Sequence, residues 1–295
     1  MTFAISAVEP LVAWRFFGAR GPLSAPLSRL QQLTSLRPAR PLHDLLARNP
    51  VFLALCVAQL TLSAAVFAWP NSRLGWALVV IANLLYLRLR PGLDASDAMA
   101  RVILAANAIR LINPAALTTP FVLFVGLEAC LAYFTSGWSK LGSTIWIEGR
   151  ALAKTLSTIS YGDPLVSRAL WRYPVLTRLA SWSTVAVEVL FPLALVVPEP
   201  FGIGLMVAGA AFHACCARIM ALGSFFWVFV ATYSCVLATR SLLPANIPIR
   251  AGVLLAYVAA VAGQLGSTVV EYRRAGNAKT SVAPEPTPSS HGSGT

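Results

Sequence analysis

Lys140 stands near the end of an apolar run long enough to cross a bilayer. Glu128, the aromatic pair Tyr133 and Phe134, and the hydroxyls of Thr135, Ser136 and Ser139 come shortly before it. A charged side chain in hydrocarbon costs about 3 kcal/mol or more, so such a residue is expected to have a function and a partner. Desolvation favours the neutral form of an amine, and a neutral amine in that position acts as a base. The other ionisable residues within or beside apolar runs are Asp97, Arg101, Glu188, His213 and Arg218. Two carboxylates, a lysine and a histidine on segments otherwise poor in charge are the ingredients of a proton-handling or substrate-binding pocket. Helix-to-helix ion pairs that merely hold a bundle together use the same residue types, and a long arginine can also reach the membrane surface. His213 has Phe212 and the small residues Ala210, Ala211 and Ala214 beside it. That composition admits close helix approach, and the imidazole there is either structural or a hydrogen-bonding partner for a ligand.

The elements that position these residues follow from composition. The chain has 295 residues, 57% of them hydrophobic and only 12% charged. Soluble domains carry roughly a quarter charged residues, so the expected fold is an all-α, polytopic transmembrane helical bundle. A closed β-barrel is excluded because the Leu/Val/Ala runs do not alternate. The net charge of +12 lies mainly in loops flanking apolar runs, where it sets topology and meets anionic lipid; nucleic acid is not an expected partner. All five cysteines fall in apolar runs without CxxC spacing. They read as small buried hydrophobes, with no disulfide framework and no metal site. Phosphate-binding glycine loops, GxSxG and HExxH are also missing.

About eight spans are expected, at 51–69, 74–89, 96–113, 119–139, 179–197, 202–222, 225–238 and 249–272, within a membrane domain covering 51–272. The third is the weakest, since it carries Asp97, Arg101 and Arg110; a re-entrant third segment leaves seven and moves later loops to the other side. Asp97 and Arg101 share a helix face and are placed to pair. Glu128, Thr135 and Ser139, at i, i+7 and i+11, form one polar stripe, and Ser181, Thr184 and Glu188 form another; such stripes face other helices or a wet cavity. Residues 1–50 are a basic, interfacial segment with amphipathic helices expected near 8–18 and 27–36. No cleavable signal peptide is evident, so the first span serves for insertion. The tail, 273–295, is rich in Pro, Ser and Gly and reads as disordered. Eight spans put both basic termini and the loop 140–178 on the cytoplasmic side of a plasma membrane.

Four blocks resemble the HTTM family, which includes vitamin K-dependent γ-glutamyl carboxylase and SdpB-like bacterial proteins. Tyr133, Phe134, Ser136, Gly137, Lys140, Leu141, Trp146 and Gly149 match its helix-end motif. Phe212, His213, Met220, Gly223 and Phe225 match its Phe-His block, SWSTVAVEVLFPLAL (181–195) resembles its Trp/Glu helix, and DAMAR (97–101) is a weaker fourth. The resemblance implies Lys140 as the base that deprotonates a reduced quinone and His213 as its catalytic partner. With them, Asp97, Glu128, Tyr133, Trp146 and Glu188 would line the substrate site. Ser139 replaces the carboxylase's second lysine, and the chain ends soon after its last span, so glutamate carboxylation stays open without being the leading expectation. The expected functions are an enzyme or peptide-maturation factor acting on a lipophilic quinone or small peptide, a non-catalytic helper or immunity protein for a secreted peptide, or a transporter. A transporter is disfavoured because no inverted repeat is visible.

Overall fold

The computed structural model describes residues 2–12, 40–89, 94–158, 161–243 and 247–281, and all regular structure among them is helical. In chain order the helices are α1 (Thr2–Val12), α2 (Arg40–Leu46), α3 (Asn49–Ala68), α4 (Leu74–Leu89), α5 (Ala95–Arg110) and α6 (Pro114–Leu141). Three short helices follow, α7 (Thr144–Ile147), α8 (Ala151–Leu156) and α9 (Pro164–Arg172). Then come α10 (Pro174–Leu190) with a 3-10 turn (Phe191–Leu195), α11 (Glu199–Met220), α12 (Gly223–Leu242) and α13 (Ile247–Ser281).

Among the described residues, 6 segments are long and apolar enough to cross a membrane: Asn49–Ala68, Pro114–Leu141, Pro174–Leu195, Glu199–Met220, Gly223–Leu242 and Arg250–Arg273. The chain is therefore an all-helical membrane protein. The other two expected spans are helices of 16 residues each. At 1.5 Å per residue they reach about 24 Å, short of a hydrocarbon core of about 30 Å. The expected segment near 27–36 lies outside the described residues, as do 282–295. Helix α13 continues past Tyr272 to Ser281, a stretch that includes the good helix formers Arg273, Arg274, Ala275, Ala278 and Lys279. At the other end, α1 is held against the bundle. It packs on α3 and α12 with Ala7 and Pro10 buried, and Gln59 Nε2 donates to the Phe3 carbonyl at 2.8 Å.

Helix α6 is the axis of the bundle, and glycines let its neighbours approach closely. A Cβ at Gly126 would lie 2.3 Å from Thr239 Oγ1 and 2.8 Å from the Cys235 carbonyl on α12. One at Gly137 would lie 2.9 Å from the Val189 amide on α10. Neither backbone can yield cheaply, so Gly126→Ala is expected to destabilise the protein by about 1–3 kcal/mol through overpacking. A lowered unfolding temperature in detergent would register this.

Pro192 removes a backbone donor where α10 passes into its 3-10 turn, and Arg240 Nη1 donates to the Ala194 carbonyl there at 2.7 Å. Helix α11 ends at Ala221, whose φ of 57° is left-handed. The break falls two residues before Gly223, which opens α12 instead of separating the two helices. A side chain in that conformation costs about 1–2 kcal/mol. Ala221→Gly should accordingly raise the unfolding midpoint, against the usual sign of a glycine substitution.

Candidate functional site

Lys140 lies one residue from the end of α6, and Glu188 is on α10 beside the Gly137–Val189 crossing. The close approach at that crossing brings the two side chains together. Lys140 Nζ donates to Glu188 Oε1 at 2.9 Å and lies 2.6 Å from Oε2. Ser136, one turn before Lys140, completes the group. Its hydroxyl accepts from Lys140 Nζ at 2.7 Å and donates to Glu188 Oε1 at 3.0 Å. The side chains of Lys140 and Glu188 are only 18% and 8% exposed, so this is a partly desolvated ion pair with a bridging hydroxyl. Trp146, on α7, places its ring 5.3 Å from the ammonium and closes the pair from the side of the turn.

The pair opens onto a cavity of about 470 Å³ enclosed by α5, α6, α7, α8, α10, α11 and α12. Six of the seven residues expected at the site line it: Glu128, Tyr133, Lys140, Trp146, Glu188 and His213. Asp97 does not. Its carboxylate accepts the Asp94 amide at 3.2 Å and completes the capping box that starts α5, and it borders a separate cavity of about 40 Å³. Nor does Asp97 pair with Arg101 through its carboxylate. Arg101 Nε donates to the Asp97 carbonyl at 3.1 Å, and its guanidinium lies 3.2 Å from the Tyr86 ring centroid.

His213 is 3% exposed, and neither ring nitrogen has a hydrogen-bond partner among the described residues. The ring stacks on Phe229 at 4.6 Å between centroids and meets the edge of Tyr133 at 5.5 Å. Tyr133 in turn stacks on Phe191 at 3.8 Å and shares a hydrogen bond with Tyr233, oxygen to oxygen 2.7 Å. Gly209 makes room for the two hydroxyls, since a Cβ there would lie 2.6 Å from the Tyr233 oxygen. A neutral imidazole carries one donor and one acceptor, and leaving either buried without a partner costs about 1–3 kcal/mol. His213 is thus an orphaned polar group packed among aromatic rings on the wall of the cavity.

The polar stripe expected on α6 is rotated. Thr135 and Ser139 are exposed and bond back to their own helix, through the Leu131 and Ser136 carbonyls. The wall follows the four-residue spacing Glu128, Ala132, Ser136, Lys140 instead. On α10, Ser181 donates to the Gly149 carbonyl at 3.2 Å, while Thr184 and Glu188 face the cavity. The sequence reading met Phe225 only in the Phe-His resemblance and gave no role to Phe229 or Tyr233. Phe229 is four residues from Phe225, and that spacing is the one signal that could have found it. Of the cysteines, Cys56 and Cys130 are buried as expected, whereas Cys215 is exposed. Leu152, Thr184, Phe212, Cys216 and Met220 also wall a second, mainly apolar cavity of about 410 Å³ between α10 and α11.

No protein-family model, curated protein or solved structure matches the chain.

Proposed function

We propose that the protein is an HTTM-type plasma-membrane enzyme that binds a lipophilic hydroquinone-like molecule and takes a proton from its hydroxyl. One observation carries the reading: an ion pair bridged by a serine hydroxyl and a histidine with two unpartnered nitrogens line the same aromatic-walled cavity. Such a cavity suits a flat, largely apolar ring bearing polar groups at two points. The adjoining apolar cavity between α10 and α11 gives room for the hydrocarbon tail of a lipid-soluble molecule.

The proton balance is simple. The ligand hydroxyl gives its proton to the Lys140–Glu188 pair and leaves an oxyanion. In the ionic form of the pair, Glu188 accepts the proton and the ammonium faces the oxyanion. In the neutral form, with the shared proton already on Glu188, the Lys140 amine is the base. Both routes end in the same state, protonated lysine and neutral carboxylic acid beside an oxyanion. Stabilising that anion inside a low-dielectric site is the larger catalytic effect. His213 would hold the ligand's second oxygen.

In this reading α4 and α5 also cross the bilayer, with Arg73 exposed just before α4 and Arg88 buried over the Phe52 ring near its other end. The count is then eight, with both termini on one side.

The test is oxygen uptake by the purified protein in detergent with a chemically reduced naphthoquinone. The wild type is expected to accelerate uptake above the uncatalysed rate. Binding without acceleration would favour a non-catalytic helper, and neither binding nor acceleration would end the hydroquinone reading.

A further inference from the structure

A second polar pocket, of about 390 Å³, lies on the far side of the turn that carries Trp146. Arg150, Arg178, Trp171, Thr177, Tyr272 and the carboxylate of Glu148 line it together with the backbone at Gly149. The turn at Gly149 packs directly on Arg178, so both arginines border one pocket. Gly149 has φ 74°, and a Cβ there would come within 2.7 Å of Arg178 Cα, so only glycine permits this contact. Arg150 shares its charge with Glu148 in an ion pair. Arg178 has no hydrogen bond or ion pair among the described residues, so the wall carries one uncompensated positive charge. The first turn of α10, beginning at Pro174, adds the positive end of a helix dipole.

The depth of the pocket points to its ligand. Arg178 stands near the start of the span Pro174–Leu195, and Tyr272 is one residue from the end of Arg250–Arg273. Both apolar segments end at this level, and the exposed rings of Trp171 and Tyr272 are the side chains that favour the headgroup region. Guanidinium groups bind phosphate through paired N–H donors, which an ammonium cannot do.

We propose that this pocket binds a phosphate-bearing anion, of the kind an anionic lipid headgroup presents. Occupancy would reach the Lys140 site through the backbone. Gly149 and Arg150 closely follow Trp146, and Ser181 anchors the Gly149 carbonyl to the helix that carries Glu188. The inference does not depend on the chemistry assigned to Lys140.

The experiment compares thermal unfolding of the full-length protein in nanodiscs of phosphatidylcholine alone and of phosphatidylcholine mixed with phosphatidylglycerol. A third arm adds sn-glycerol 3-phosphate to the phosphatidylcholine discs. Anionic lipid should raise the wild-type midpoint by roughly 5 °C, as expected for a well-occupied site. Arg178→Gln, which removes an exposed side chain without partners, should lose most of that increment measured against its own phosphatidylcholine baseline. Arg168→Gln, an exposed arginine outside the pocket, should keep it. An equal increment from glycerol phosphate would identify a soluble anion as the ligand. No increment in either arm, or the same increment in Arg178→Gln as in the wild type, would overturn the proposal.

Discussion

Lys140→Met is expected to abolish turnover and to destabilise the fold, whereas Lys140→Met/Glu188→Gln should recover stability and remain inactive. Removing the lysine alone strands the Glu188 carboxylate, 8% exposed, with only the Ser136 hydroxyl to satisfy it. Breaking a buried pair from one side costs about 3–5 kcal/mol. Neutralising Glu188 as well removes the stranded charge, and an amide still accepts a hydrogen bond from Ser136, so most of that loss should return. Catalysis should not, because neither a proton acceptor nor a cation for the oxyanion remains; the expected fall is about 100-fold or more. Unfolding midpoints and oxygen uptake measured on the three proteins separate the two effects. If the double variant recovered activity along with stability, the pair would be a structural bolt.

His213→Phe has an unusual expected signature, a protein at least as stable as the wild type that binds its ligand more weakly. A phenyl ring keeps the stack on Phe229 and the edge contact with Tyr133, and it removes two nitrogens with no partner in the described protein. Relief of an unsatisfied buried group is worth about 1–3 kcal/mol. A ligand oxygen that loses its hydrogen bond should bind about tenfold more weakly, since about 1.4 kcal/mol corresponds to a factor of ten. Thermal unfolding and hydroquinone titration on the same sample decide the matter. A clear loss of stability with binding intact would make the imidazole a core residue.

Reading the chain as a sequence located the long spans and the residues of the pair because both signals are large. A 20-residue apolar run and a lysine inside hydrocarbon have few alternative explanations. Rotational phase was harder to read. Thr135 and Ser139 share an ideal helix face with Glu128, yet they turn outward, because the crossings at Gly126 and Gly137 set which side of α6 faces its neighbours. Asp97 was expected at the site from its residue type and from the weak DAMAR resemblance. Its place in a capping box depends on Asp94 and the start of α5, a boundary only a few residues from where a span was expected. The stretch 140–178 reads as a loop, and it contains α7, α8 and α9, each of 9 residues or fewer. Helices that short show too little periodicity to stand out, although α7 and α8 supply Trp146, Leu152 and Thr155 to the cavity wall. Cross-helix aromatic contacts such as Tyr133 with Phe191 and Tyr233 join residues far apart in the chain, and no local pattern encodes them.

The central claim, that the Lys140–Glu188 pair and His213 serve one ligand in one cavity, is tested most directly by mass spectrometry of the lipids that co-purify with the protein. The wild type should carry a quinone-type lipophile that is depleted from both His213→Phe and Lys140→Met/Glu188→Gln prepared in the same way. Identical extracts from all three proteins would contradict it.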